Sequence, residues 1–295
     1  MTLDGTKAEA DVDISGNIFD GPISISGAVI DRSLIFSGSH FYSSADLSDT
    51  QINQRFVLDA RHVLAFGFHG EEDHVEPVVW GPEASLSLRN AVVNIILARQ
   101  SIGVWPDHVD LRDLSFKSYQ GDASGPGLRM SATDWFPLWL SKSTSDPFNP
   151  QPYEQVRTYL VGIGEQEAAK AVGVSEKNLE LKQACASRNF INCVFLATSW
   201  ATIGYGYELW RAALWSIGFI LVGAAVFRRT PEAAAAGMPY GLAYSFDTFI
   251  PLIKLRERHY EIHVDGPARY YFYVHKLAGW MLGSFLVAAV SGLTK

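Results

Sequence analysis

The chain has 295 residues, 48% of them hydrophobic and only 19% charged, with a formal net charge of −7. That length suits one large or two modest domains, and the low charged fraction points to a chain that meets a membrane. Acids outnumber bases 17 to 8 over residues 1–120, while bases outnumber acids 9 to 6 over residues 206–295. An acidic front on a basic, apolar tail excludes a general nucleic-acid binder. Two cysteines, Cys185 and Cys193, are too few for a disulfide scaffold and fit a reducing compartment. The amino terminus, MTLDGTKAEADVDISG, shows no basic stretch followed by an apolar core, so no secretory signal is expected and the front is expected to stay in the cytoplasm.

Five eleven-residue units open the chain, starting at Val12, Ile23, Leu34, Ala45 and Phe56. Their first, third and eighth positions are apolar throughout (Val12, Ile14, Phe19; Ile23, Ile25, Ile30; Leu34, Phe36, Phe41; Ala45, Leu47, Ile52; Phe56, Leu58, Val63). Alternation at the first and third positions marks a short strand with one face inward. The fifth position holds Gly16, Gly27, Gly38, Asp49 and Ala60, residues suited to a bend. Short strands and bends at a fixed period predict a parallel β-solenoid with two units per coil. Looser copies follow from Leu86, Ile95 and Val109 after the irregular stretch GFHGEEDHVEPVVWGPE. Such a domain over residues 1–120 would serve as a stalk or as a ligand-sensing platform. Arg89 and Arg112 hold the outward fourth position of units 23 residues apart, with Arg99 on the unit between. Stacked at about 5 Å, like charges are unfavourable unless an anion or carboxylates intervene. The residues therefore form either an anion-binding ladder or pairs with Asp107, Asp110 and Asp113.

Breaker-rich stretches at Gly121–Gly127 and Ser141–Pro152 make residues 121–152 a linker. From Tyr153 the period becomes helical, with Val156, Leu160 and Ile163 on one face, and Ser175 is placed to cap a helix running to Ala186. Phe190–Ala201 is too short to span and suits an interfacial helix, closing a helical region over 153–205. Leu209–Phe227 and Leu277–Leu293 then read as two transmembrane helices of a domain over 206–295, the alternative being two buried core helices. Trp200, Tyr205, Tyr207, Trp210, Arg211 and Trp280 are placed at the membrane interface. The expected class is thus an α+β membrane protein: β-solenoid, short helical region, and two spans with a re-entrant segment between them. With two spans both termini lie on the cytoplasmic side of a bacterial inner membrane. The basic connecting segment, with Arg228, Arg229, Lys254, Arg256, Arg258, Arg269 and Lys276, argues for the opposite orientation.

Thr202–Gly206, Thr-Ile-Gly-Tyr-Gly, has the residue types of a potassium-channel filter. It precedes the first expected span, and its glycines are better read as breaking the chain between two helices. Between the spans, the apolar run Leu242–Leu255 contains one acid, Asp247, beside Ser245 and Thr248. An ionisable group at membrane depth is a functional candidate, and a symmetric oligomer would gather Asp247 into a ring of the kind that lines cation pores. The competing reading is a helix cap or a local hydrogen bond.

GYGYELWR (Gly204–Arg211), YSFDTFIP (Tyr244–Pro251) and GWMLGSFLVAAVSGL (Gly279–Leu293) carry a resemblance to a bacterial family with a pentapeptide-type solenoid front and a two-span tail. PYEQVRTYLVGIGEQEAAKAV (Pro152–Val172) resembles that family's helical segment. Its members are often labelled membrane-associated oxidoreductase. GIGEQE at Gly162 lacks the third glycine of a dinucleotide fingerprint and follows a helix pattern, so no cofactor is implied. The architecture is also similar to anti-phage membrane effectors, including the Hailong type. That similarity implies a homo-oligomer, a tetramer by analogy, which contacts lipid and conducts ions or breaches the membrane. Its regulator would be a nucleotide or single-stranded oligonucleotide at the solenoid. The alternative function is a non-conducting, membrane-anchored scaffold that recruits a partner protein. His259 and His263 have metal-compatible spacing but lack cysteine partners and read as a solvated turn, and His69 and His74 lie in an acidic loop. With no nucleophile elbow, P-loop or Cys-x-x-Cys, an enzyme is not expected.

Overall fold

The computed structural model describes residues 1–59, 77–121, 130–143, 148–235, 241–250, 257–260, 262 and 264–290. His69, His74, Ala60, Val63, Pro251, Lys254, Arg256 and His263 lie outside the described residues. The chain divides into two compact units, Met1–Gln183 and Ala184–Lys295.

Unit 1 is built on short strands. Eight two-residue strands come first: β1 (Lys7–Ala8), β2 (Val12–Asp13), β3 (Ile18–Phe19), β4 (Ile23–Ser24), β5 (Val29–Ile30), β6 (Leu34–Ile35), β7 (His40–Phe41) and β8 (Ala45–Asp46). Then follow β9 (Gln51–Val57), β10 (Val79–Trp80), β11 (Ser85–Ser87), β12 (Val92–Leu97), β13 (His108–Asp110) and β14 (Ser115–Gln120). They pair in parallel in three sheets. One runs β4-β8-β11-β13 and another β3-β7-β10. In the largest, β9 joins β5, β6 and β12, with β1, β2 and β14 outside them. The apolar positions read from the repeat point inward: Ile23, Ile25, Ile30, Leu34, Phe36, Phe41, Leu47, Ile52, Phe56 and Leu58 are all fully buried. The fifth position supplies the bends, with Gly16, Gly27 and Gly38 at φ of 68°, 67° and 69° and Asp49 at φ 60°, the left-handed region. Buried hydroxyls complete these turns, Ser39 Oγ donating to the Ile14 carbonyl at 2.6 Å and Thr50 Oγ1 to that of Ile25 at 2.7 Å.

Two parts of the expected class are corrected. The first is the β-solenoid of eleven-residue units: the described residues form three parallel sheets associated with helices, an α/β arrangement with no closed solenoid among them. The cadence fails at β9, which runs seven residues without a bend. Earlier units turn there through Asp-Gly-Pro, Asp-Arg-Ser or Tyr-Ser-Ser, whereas this one has Asn-Gln-Arg, which extends the strand. Beyond it the pairing step lengthens from 22 residues (Ile23↔Ala45) to 41 (Ala45↔Leu86) and returns to 23 (Leu86↔Val109).

Helices α1 (Ala132–Ser141), α2 (Gln151–Gly162) and α3 (Gln166–Ala186) follow. Ser131 caps α1 by accepting from the Asp134 amide, and Trp135 and Trp139 pack into the core, Trp139 lying 5.0 Å from Trp105. One polar face of α2 covers the carbonyls at the last strand of the sheet. Gln151 Nε2 donates to the Leu114 carbonyl at 3.2 Å, Gln155 Nε2 to that of Phe116 at 2.9 Å, and the Tyr159 hydroxyl to that of Tyr119 at 2.8 Å. An exposed edge that would template further pairing is thereby closed. Val156 and Leu160 are buried as expected, but Ile163 is 54% exposed because α2 ends one residue before it. Ser175 lies inside α3, which starts nine residues earlier, so it caps nothing.

Unit 2 contains α4 (Phe190–Ile203), α5 (Trp210–Phe227), α6 (Pro231–Ala235), α7 (Leu242–Phe249) and α8 (Pro267–Val290). The second correction falls here. Among the described residues one helix, α5, is long and apolar enough to cross a membrane. The expected second span is part of α8, which begins ten residues before Leu277 and carries Arg269, His275 and Lys276 within the helix. The stretch ahead of it, Arg269–Lys276, is helical, with His275 buried and Tyr270 and Tyr273 exposed, and residues 291–295 lie outside the described residues. The segment expected to be re-entrant holds the short helix α7, packed on α5 and α8. Cys185 and Cys193, expected to be reduced, are joined in a disulfide between the end of α3 and the start of α4.

Glu176 on α3 is 4% exposed, its Oε2 has no hydrogen-bond partner among the described residues, and Lys177 approaches Oε1 only to 3.8 Å. Burial raises its pKa above the ordinary 4.5 despite the nearby cations. The folded state therefore holds this proton more tightly than the unfolded chain, so stability falls as pH rises through 4.5 towards the raised value. Glu176→Gln should raise the melting temperature at pH 7, and the gain should vanish below pH 4.5, as read by thermal denaturation across pH.

Candidate functional site

In unit 2, α7 passes close to two other helices because glycines leave room for it. A Cβ on Gly279 of α8 would overlap the Phe249 carbonyl oxygen, and one on Gly223 of α5 would overlap Ser245 Oγ. Gly241, at φ 64°, starts α7 with its Cα against the Ala224 carbonyl, where a Cβ would sit at 2.7 Å.

Apolar side chains such as Phe227, Phe249 and Leu282 pack between these helices, and a set of polar side chains is buried among them. Asp247 is fully buried, and its Oδ2 accepts from His259 Nδ1 at 2.8 Å, His259 being 2% exposed. His259, expected in a solvated turn, is thus a buried partner of Asp247. No spacing rule could pair them, because they stand 12 residues apart on different elements. Ser245 and Thr248, the other pore candidates, are also buried and bonded internally. Ser245 Oγ donates to the Ile220 carbonyl at 2.8 Å and Thr248 Oγ1 to that of Tyr244 at 2.8 Å. The local-bond reading of Asp247 is therefore the one its geometry shows within a single chain.

His275 and Tyr271 of α8 complete the cluster and carried no sequence signal beyond their place in an aromatic run. His275 Nε2 lies 3.0 Å from the Ser245 carbonyl oxygen, which can only accept, so Nε2 bears the proton. Nδ1 is then the bare nitrogen; the Tyr271 hydroxyl lies 3.4 Å from it and donates to the Phe219 carbonyl at 3.2 Å. Ser245 Oγ stands 3.4 Å from Nε2. Its own proton is directed at the Ile220 carbonyl and the imidazole nitrogen facing it is already protonated, so His275 cannot act as its base. The Ser245–His275 pair is not an activated nucleophile.

The outside of unit 2 inverts the usual distribution. Leu214, Ile217, Leu221 and Val222 on α5 are 53–58% exposed, and Tyr273, Val274, Leu277 and Met281 on α8 are 53–64% exposed. On α4, Phe190, Ile191 and Phe195 are 69–79% exposed. The expected interfacial residues gather mostly where α4 meets α5. Gly204 caps α4 in the left-handed conformation and Tyr205 follows at φ 58°, so these residues break the chain between two helices. The Arg211 guanidinium lies 5.9 Å from the Trp200 ring, donates to the Trp200 carbonyl at 3.1 Å and pairs with Glu208, while Trp215 Nε1 donates to the Ala201 carbonyl at 3.0 Å. Tyr207 is partly buried after the turn, Trp210 is 62% exposed at the start of α5, and Trp280 is 60% exposed on α8.

In unit 1 the three arginines do not form one ladder. Arg89 and Arg112 are stacked neighbours, since the Asn90 amide donates to the Arg112 carbonyl at 2.9 Å. Arg112 grips Asp110 through two nitrogens at 2.6–3.1 Å. Burial would raise the Asp110 carboxyl, but the hydrogen bonds and charge of Arg112, with Arg89 adding, hold it below the ordinary carboxylate value. Arg99 follows β12, in a different sheet from β11 and β13, and is paired with the buried Asp59. Asp107 serves Lys142 at 2.7 Å, which lowers its pKa. Among the described residues no group of three or more histidine, cysteine or acidic side chains is placed to hold a metal ion. In comparisons with known proteins, no family model, curated protein or solved structure matches the chain.

Gly279→Val should displace α7 and lower stability by about 1–3 kcal/mol or more through overpacking, read as a lowered melting temperature of the purified chain. Asp247→Ala leaves His259 buried without this partner, a loss of about 1–3 kcal/mol. Asp247→Asn, which keeps the shape and an acceptor, should cost less in the same assay.

Proposed function

We propose that the protein is attached to a lipid bilayer through unit 2 and uses the polar sheets of unit 1 to bind a partner. The observation that carries this reading is that unit 2 has apolar outer faces while ionisable groups are buried inside it. Its interior holds Asp247, His259, His275 and Ser245, all at most 2% exposed, while the outward faces of α4, α5 and α8 are apolar. In water, contiguous exposed apolar surface of this kind is unfavourable and marks an interaction surface. Against lipid tails the same surface is favourable, and the ionisable groups are kept inside, paired with one another or with carbonyls. Tryptophans and an arginine at the mouth of α5 suit the headgroup region.

The membrane-anchored scaffold is the form of this reading that requires least. Ion conduction by a homo-oligomer is a second form, supported by the presence of three ionisable side chains inside an apolar-faced unit. It would require Asp247 to exchange His259 for water or cations in the assembled state. Arg89, stacked beside the Arg112–Asp110 pair, would be the first contact for an anionic regulator such as a nucleotide.

The full chain should float with liposomes of neutral and anionic lipid on a density gradient. Leu214→Glu with Leu221→Glu should move it towards the soluble fraction, since each charge near a span's centre costs about 2.5–3.5 kcal/mol. Wild-type protein that stays at the bottom of the gradient would remove the membrane reading. Potassium efflux from the same liposomes, reduced by Asp247→Asn without loss of flotation, is expected if the oligomer conducts. Tight liposomes with bound wild-type protein would leave the scaffold.

A further inference from the structure

The outer face of β9, β12 and β14 carries a concavity that neither reading of the membrane unit uses. The three strands start in step: Val92 faces Gln51 and Ser115, and Val93 faces Ile52 and Phe116. The register then slips between β12 and β9, because Ile95 pairs with Arg55. β9 therefore sets two residues, Asn53 and Gln54, against the single Asn94. β14 stays in step, with Ser118 opposite Ile95, so Lys117 stands beside Asn94. Such bulges re-aim side chains and recur next to functional sites. Here the slip accompanies a groove of about 320 Å³ lined by Ile52, Asn53, Val92, Asn94, Ser115 and Lys117.

The groups around this groove are arranged and partly unspent. Asn53 is fixed in orientation, its Nδ2 donating to Asp31 at 3.1 Å and its Oδ1 accepting from Gln51 at 2.8 Å. Asn94 on the next strand makes no side-chain hydrogen bond, and Lys117 beyond it makes no ion pair, among the described residues. Val92, 51% exposed, supplies an apolar floor between them. At the spacing of neighbouring strands, Asn53 and Lys117 stand about 10 Å apart. We infer that this groove binds an anionic, hydroxyl-bearing molecule of monosaccharide size, a sugar phosphate or sugar acid. Lys117 would hold the charged group and the Asn94 amide, both donor and acceptor, would read a hydroxyl. Val92 would lie under the C–H face of the ring.

Calorimetric titration of the full chain in detergent with glucose 6-phosphate, glucuronate and inorganic phosphate tests this. At least one of the sugar anions should bind saturably with a Kd of about 1 mM or tighter, and inorganic phosphate should bind about tenfold more weakly. Lys117→Met and Asn94→Ala should each weaken the sugar anion about tenfold, and Lys182→Met, at an exposed cation of α3, should leave it unchanged. All three substitutions are at positions that are not buried, and unaltered melting curves would show that the variants fold. Lys117→Arg should retain binding. No saturable binding of either sugar anion, phosphate binding as tightly as the sugar phosphate, or binding that survives both Lys117→Met and Asn94→Ala would overturn the assignment. Because unit 1 carries the whole groove, failure here is distinct from failure to float with liposomes.

Discussion

A buried hydrogen-bonding group has to find its partner inside the chain, and this requirement organises both units. A two-residue strand cannot meet it alone. Each short strand of unit 1 is held by a parallel neighbour, and the bends at the fifth position of the units carry left-handed residues whose amides reach the neighbouring bend, as Gly27 does to the Ser48 carbonyl at 2.8 Å and Asp49 to that of Arg89 at 2.7 Å. The last strand has no following copy, and α2 takes that place with the side chains of Gln151, Gln155 and Tyr159. The helix does more than pack on the sheet, since it also closes its hydrogen bonding.

In unit 2 the same requirement is met among helices. The buried Asp247 and His259 bond each other, His275 bonds the Ser245 carbonyl, and Ser245 Oγ bonds the Ile220 carbonyl. These bonds need α7 close to α5 and α8, and the approach is possible because Gly223 and Gly279 leave no Cβ in the way. Close packing through small residues with hydrogen bonds across the interface is the form that helix association takes where no hydrophobic drive is available. That fits a unit whose outer faces are apolar, and it ties the membrane reading to the interior as well as to the surface.

The functional reading differs between the units for a physical reason. Unit 2 shows where its side chains prefer to be, because its outer faces are apolar while Asp247, His259 and His275 are buried inside it. Unit 1 presents the ordinary arrangement, apolar inside and polar outside, so its surface has to be read locally. The stacked Arg89 and Arg112 are partly neutralised by Asp110, whereas the groove over β12 sits where register is lost and the Asn94 amide is unspent. A break in regularity is more informative there than a run of charge.

Period and residue type by themselves determined much of unit 1. The apolar positions of the repeat predicted which residues are buried, because alternation along a strand fixes which face each side chain takes. The small residues at the fifth position predicted left-handed bends, because few side chains tolerate that backbone. The glycines after Thr202 were readable in the same way as a break between α4 and α5. What only the tertiary structure decided depends on contacts between segments distant in sequence. The seven-residue run of β9 replaced a bend and ended the regular cadence, leaving three sheets with helices in place of a closed solenoid. Helix α8 begins ten residues before its apolar run, and that added length places His275 against the Ser245 carbonyl. The pairing of Asp247 with His259, and the glycine notches that permit it, have no local signature, because they exist only once α5, α7 and α8 are packed together.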